Sequence, residues 1–305
     1  MNKKIVISLF LLPQEISDLD NLLYTLNKSN QYLSGNYDWV IDIGMSFSSE
    51  LINWNQTLIP KQFFVEKFYK LEKRTTWCET NFIIYDNLHG NTDFRRLKQY
   101  EYKDAHHVLM LDPDVVFNEK TLMYFEKAYD YLKDETEFLF ITPEILQLYD
   151  DSWTEIVNEN YKDKDYNYWK NCNPFDEVGI KGDVSFEEVN FLSEIDPFRP
   201  KFRFGTGWFT SMSGSLYRLL KIPDTFAPYG PEDVYWWRTS HLLVENHGYD
   251  IKQFKIKNLV VFELNKFRNN TEYTNNMKYY HKKNEYKQIT LNVMESEVSK
   301  FNKKN

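Results

Sequence analysis

A chain of 305 residues with 42% apolar content is globular and large enough for one sizeable core. Its formal net charge of -8 argues against a general nucleic-acid binder. Any anionic ligand must then be met by local cations, and the candidates are Arg95, Arg96 and Lys98, with Arg268, Lys282 and Lys283 near the C-terminus. Cys78 and Cys172 lie far apart and offer neither a disulfide framework nor a metal-binding cluster, which fits a reducing, cytoplasmic setting. No apolar run approaches the ~20 residues that a transmembrane helix needs, so contact with a membrane is expected to be peripheral at most.

The first residues, Met-Asn-Lys-Lys and then Ile5 to Leu12, imitate the start of a signal peptide. Pro13-Gln14-Glu15 follows at once without a small-residue cleavage site, so the run reads as a buried first strand. Leu19, Leu22, Leu23 and Leu26 trace one helix face, and Tyr37 to Ile43 makes a second buried strand ending at Asp42-Ile43-Gly44 before a Ser-rich turn. Phe63 to Tyr69 and Asn81 to Tyr85 are shorter predicted strands, and a loop at 87–91 leads into a helix around Arg95 to Tyr100. Val108 to Leu111 is an apolar strand, followed by a helix with Leu122, Phe125, Tyr129 and Leu132 at helical spacing. Phe138 to Thr142 is a further strand. Residues 149–200 are polar and aromatic with no period, and read as an insertion or lid. A helix through Trp236, Trp237, Arg238 and Leu242 is closed by Gly248, strands at Tyr249 to Lys255 and Leu259 to Leu264 complete the core, and the tail from Asn265 is helical and peripheral. Strands alternating with helices predict an α/β fold with a mostly parallel sheet.

Chemistry concentrates in two places. The strand at 108–111 runs into Asp112-Pro113-Asp114, and two carboxylates at the tip of a buried strand are costly without a cation. Hard divalent ions such as Mg²⁺ or Mn²⁺ are held by one or two carboxylates, with phosphate oxygens and water completing the shell, which suits a nucleotide diphosphate. The plain alternative is an Asp-Pro turn and a helix capped by Asn118. The second place is Gly205-Thr-Gly207-Trp208-Phe209 with Pro228-Tyr-Gly-Pro-Glu232-Asp233, which holds three of the four glycines found between 205 and 230. Such glycines indicate special backbone geometry or close approach. Glu232 and Asp233 also suit a helix N-terminus through capping and dipole effects alone.

Together these segments resemble the GT-A fold glycosyltransferases, most closely the large inverting family that uses nucleotide-diphosphate sugars. The likeness rests on Ile5 to Pro13, Val40-Ile-Asp42-Ile-Gly-Met-Ser46, His107 to Phe117 with its Asp-x-Asp, the glycine segment at 205–209, and Pro228 to Asp233 with Arg238, all in the family's order from about residue 4 to 264. It implies a Rossmann-like domain over 1–264, with a nucleotide-sugar half at 1–117, an acceptor half at 118–264 carrying the insertion at about 149–200, and a C-terminal helical extension at 265–305. It implies Pro13, Asp42, Arg95, Asp112 and Asp114 on the donor side, with Asp42 at the base or ribose, Asp112 at the ribose or a metal-bound water, and Asp114 on an Mn²⁺ or Mg²⁺ ion. Asp233 would be the base, Glu232 would position acceptor or metal, and Gly207 and Trp208 would meet the acceptor.

The implied activity is transfer of a hexosyl or pentosyl group to a glycan or glycoconjugate hydroxyl, with inversion. A retaining transferase, a nucleotidyltransferase, an enzyme acting on modified viral DNA bases and a non-catalytic glycan binder are the alternatives. Two departures stand out. The last core strand ends Phe262-Glu263-Leu264-Asn265 where relatives carry a metal-binding His, and His247 and His281 are poor substitutes. The glycine-rich loop before the metal strand is reduced to Gly90, so the donor's identity stays open.

Overall fold

The computed structural model describes residues 3–48, 50–52, 59–146, 180–189, 209–263 and 277–302. The first part alternates strictly: β1 (Lys3–Leu11), α1 (Ile16–Ser29), β2 (Tyr37–Ser46), α2 (Lys61–Glu72), β3 (Glu79–Tyr85), α3 (Asn91–Glu101) and β4 (His107–Leu111). Then follow β5 (Val115–Phe117), α4 (Thr121–Leu132), β6 (Phe138–Leu146), β7 (Ile180–Val189), β8 (Phe209–Ser213), α5 (Gly214–Leu219), α6 (Glu232–His247), β9 (Ile251–Glu263) and α7 (Met277–Ser299). The strands form one sheet in the order β3-β2-β1-β4-β8-β6-β9-β5, with β7 also paired to β9. Strands β1 to β4, β6 and β9 run one way, while β5, β7 and β8 run the other. The expected α/β fold is therefore present, with a mixed, mostly parallel sheet.

Alternation along the strands divides the interior into two cores. Ile5, Ile7, Leu9 and Leu11 of β1 face α1, α2 and α4, packing on Leu19, Leu23, Phe68 and Phe125. Val6 joins Val108, Met110, Phe140 and Met212 against Trp236 and Trp237 of α6 on the opposite face. Strands covered on both faces need apolar residues at every position, which is why β1 and β4 read as unbroken runs.

Three expectations change. Phe63 to Tyr69 is helical, within α2, because its buried residues Phe64, Phe68 and Leu71 recur at four and three positions, although its aromatic content favours a strand. The two predicted strands after residue 249 are one strand, β9. Its pairing with β6 jumps from Pro143/Ile256 to Glu144/Val260, and Asn258 takes up the interruption at φ 64, a conformation that Asn tolerates. Within the expected insertion, residues 180–189 form β7, antiparallel to β9, and the rest lies outside the described residues.

The expected C-terminal helix is present as α7, and it is seated firmly. Thr290, Met294 and Val298, spaced by four, are buried at 0%, 1% and 4% exposure, the latter two in the core beneath α6. No helix among the described residues is long and apolar enough to cross a membrane.

Candidate active site

Strand order 3-2-1-4 makes the chain reverse direction across the sheet between β1 and β4, and in open α/β sheets ligands bind outside the carboxyl ends at such a point. Two segments leave the sheet there. After β1, buried Pro13 starts a single 3₁₀ turn, Pro13–Glu15, closed by the Leu12 N–H donating to Glu15 Oε2 at 2.7 Å. After β4 comes Asp112-Pro113-Asp114, with Asp114 8% exposed and the Asp112 side chain 32% exposed.

Glu15 is a site residue that the sequence reading missed. Burial, then the charges of Asp114 and Asp112, push its carboxyl up to about 8, against the opposing pull of the Leu12 N–H and Lys283. The signal was positional: the first side chains after β1 must emerge at the same edge as Asp112.

Arg95, on α3, ties the two halves together. Its guanidinium pairs with Glu232 of α6 and reaches Asp112 Oδ1 at 3.4 Å. Thr92 Oγ1 donates to the other Glu232 oxygen at 2.9 Å, and Asn91 Nδ2 approaches Asp112 Oδ1 at 3.5 Å. Burial raises both the Asp112 and the Glu232 carboxyl, and Arg95 is the chief opposing influence on each. Arg95, expected on the donor side, is 4% exposed and pairs with these two carboxylates, and Glu232, expected to position acceptor or metal, is 3% exposed and bound by Arg95 and Thr92. Asp233, partly exposed in the first turn of α6, accepts from the Val234 N–H at 2.9 Å and lies close enough to Asp112 and Glu232 to raise both carboxyls.

Asp42 departs from its expected place at a strand tip, since β2 continues four residues beyond it to Ser46. It is 4% exposed, bound by Lys98 Nζ at 2.9 Å and by the Tyr102 hydroxyl at 2.7 Å, which commits one oxygen; the other is buried without a hydrogen-bond partner. Lys98 thereby serves Asp42 and Glu101, while Arg96 serves Asp93 and the Phe226 carbonyl. Gly207, Trp208 and Arg268 lie outside the described residues. His247 Nε2 contacts the Phe301 carbonyl at 2.9 Å and His281 is exposed.

The segment between α5 and α6 is held from both sides. The Thr92 N–H donates to the Pro228 carbonyl at 3.0 Å, and a Cβ on Gly90 would stand 2.3 Å from that oxygen. On the other side the Ala227 N–H donates to Thr290 Oγ1 at 3.2 Å, and a Cβ on Gly230 would lie 2.5 Å from the same atom. Close approach is thus what both glycines permit. Tyr229 between them carries Lys283 Nζ 4.6 Å above its ring. Five carboxyl groups (Glu15, Asp112, Asp114, Glu232 and Asp233) share this region with two cations, Arg95 and Lys283, among the described residues. No three His, Cys, Asp or Glu side chains there form a closed metal cage. Two strand-end carboxylates in an acid-rich cleft nevertheless fit a hard divalent ion that completes its shell with phosphate and water. A cavity of about 1000 Å³ opens at the other end of the strands, lined by Lys3, Tyr37, His106 and His107, and none of the expected site residues reaches it.

No family model matches the chain, and no curated protein matches it. Among solved structures it is similar to S. aureus TarS 1–349, at 13% identity and a TM-score of 0.48 over 85% of this chain and 60% of that one. A mycobacterial protein matches at 11% identity and 0.47, over 86% and 68% of the two chains. Glucosyl-3-phosphoglycerate synthase from Mycobacterium tuberculosis, solved with Mn²⁺, UDP and glucosyl-3-phosphoglycerate, matches at 10% identity and 0.45, over 86% and 72%. The chain thus spans 60% of the length of the TarS structure it matches.

Proposed function

We propose that the protein is a metal-dependent glycosyltransferase that moves a sugar from a nucleotide-diphosphate donor to a hydroxyl of a glycan or glycoconjugate, with inversion. The observation that carries this reading is the gathering of carboxyl groups at the β1/β4 reversal, where Glu15 after β1 and Asp112 and Asp114 after β4 meet Glu232 and Asp233 at the start of α6. Five carboxyl groups with two cations favour a divalent ion, and a diphosphate is what such an ion would hold. The motifs at 108–117 and 228–233, similar in order to those of the inverting GT-A family, support the same reading.

In this mechanism Asp114 and Asp112 would hold Mg²⁺ or Mn²⁺, whose charge offsets that of the departing diphosphate. The acceptor oxygen attacks the anomeric carbon as the bond to the diphosphate oxygen breaks, and the acceptor proton passes to the Asp233 carboxylate. Asp233 suits this task because it is partly exposed at the mouth of the cleft, whereas its neighbour Glu232 is buried and committed to Arg95 and Thr92. Glu232 and Arg95 act by position: they lock the α6 N-terminus to the strand-end aspartates, which fixes Asp233 relative to the donor side.

The test is release of nucleoside diphosphate from a panel of sugar nucleotides with Mn²⁺. Asp114→Ala should abolish it, and Asp233→Asn should lower turnover by about 10²- to 10⁴-fold with nucleoside diphosphate binding retained. Silence across the panel, or equal rates for Asp114→Ala and the wild type, would remove the proposal, and pyrophosphate as product would replace it with nucleotidyl transfer.

A further inference from the structure

The C-terminal helix brings a cation to the donor side of the cleft. Lys282 Nζ bridges at 2.7 Å to Glu50, in the segment after β2, and Tyr286 reaches the same carboxylate at 3.3 Å. The neighbouring Lys283 lies over Tyr229 and acts electrostatically on Asp112 after β4 and on Glu15 after β1. The helix therefore sits over the carboxyl ends of β1, β2 and β4, not over α6 alone.

Its seat is rigid enough to make that placement meaningful. Thr290 fills the space that Gly230 leaves, Glu295 pairs with both terminal guanidinium nitrogens of Arg238, Thr225 donates to Glu297 at 3.0 Å, and Met294 and Val298 are buried. The face of Tyr229 attracts the ammonium.

We propose that Lys283 is a donor-binding residue, which places its ammonium against the diphosphate of the nucleotide and shares with the metal the charge that Asp112 and Asp114 bring there. This deepens the proposed function and rests on it. A lysine is suited to the place because its compact charge on a flexible stem can turn from Tyr229 to phosphate without a fixed planar geometry.

The experiment is equilibrium binding of UDP, GDP, ADP, CDP and dTDP, each with and without Mn²⁺, to the full chain. For whichever diphosphates the wild type binds, Lys283→Gln should weaken binding about tenfold or more, the size of one charge-assisted contact. The loss should be larger without Mn²⁺, smaller for the matching monophosphate, and largely restored by Lys283→Arg. Lys287→Gln, an exposed change on the same helix, should do nothing. If no diphosphate binds the wild type, the glycosyltransferase reading falls and this inference with it. If diphosphate binds and Lys283→Gln binds it equally well, this inference alone falls. An equal loss in Lys283→Gln and Lys283→Arg, with a lowered Tm in both, would mean that the side chain supports packing, and would likewise overturn it.

Discussion

Replacing Arg95 by Met tests whether the two halves of the cleft are joined by a buried charge. Arg95 and Glu232 are 4% and 3% exposed, and the substitution leaves Glu232 with the Thr92 hydroxyl and no counter-charge. Removing one partner of a buried pair destabilises by about 3–5 kcal/mol. With an unfolding entropy near 2.1 cal/mol/K per residue over 305 residues, that lowers Tm by roughly 5 to 8 °C. The sign of the pH dependence follows from the same pair. Burial already raises the Glu232 and Asp112 carboxyls, and without Arg95 they rise further above their unfolded values. Stability contributed by such groups is full below the unfolded pKa and is lost as pH rises through the folded one. The deficit of the variant should accordingly be smallest in acid and grow toward neutral pH. Thermal unfolding followed by circular dichroism across that range measures it, and Glu232→Gln in the same chain should return part of the loss. A shift within the roughly 0.5 kcal/mol typical of surface substitutions, with a flat pH profile, would refute a buried bridge.

Two further outcomes follow from the same geometry. With chelator present, wild-type stability should fall as pH rises from 4.5 to about 8, because the folded-state Glu15 carboxyl is raised across that interval, mainly by burial. Glu15→Gln should flatten this slope and be the more stable protein near the upper end, and parallel curves would show that Glu15 is already solvated. Gly230→Ala places a methyl 2.5 Å from Thr290 Oγ1 and should cost about 1–3 kcal/mol by overpacking, read as a lower denaturant midpoint. Thr290→Ala in the same chain should recover part of it, and no recovery would locate the strain elsewhere.

The parts of this protein that show in its sequence are those set by local rules. Unbroken apolar runs located β1 and β4, the spacing of Leu122, Phe125, Tyr129 and Leu132 located α4, and Gly248 ended α6, where it adopts φ 70. The pairing of Asp112 with Asp114 at a strand tip was visible for the same reason. What stayed hidden depends on who meets whom. Arg95 and Glu232 are 137 positions apart, and nothing local marks one as the other's counter-ion. Glu15 looked like the stop after a strand, and its importance arises only because β4 inserts beside β1. The helix at Lys61–Glu72 was disguised by aromatic residues that favour strands, and only its one-sided burial reveals the period.

The dependence of Ala227 and Gly230 on Thr290 has a consequence in time. Roughly 180 residues separate Asp114 from Thr290, so at about 5–20 residues per second the ribosome delivers the acidic strand end some 10 to 35 seconds before its last support. Over the last 60 or so residues of that interval, about 3 to 12 seconds, the nascent chain has its strand-end aspartates and an unbraced segment at 225–230. A stop codon after β9 would leave the five carboxyl groups of the cleft intact on the chain, yet the lesion would still act there, far from its own position in the gene.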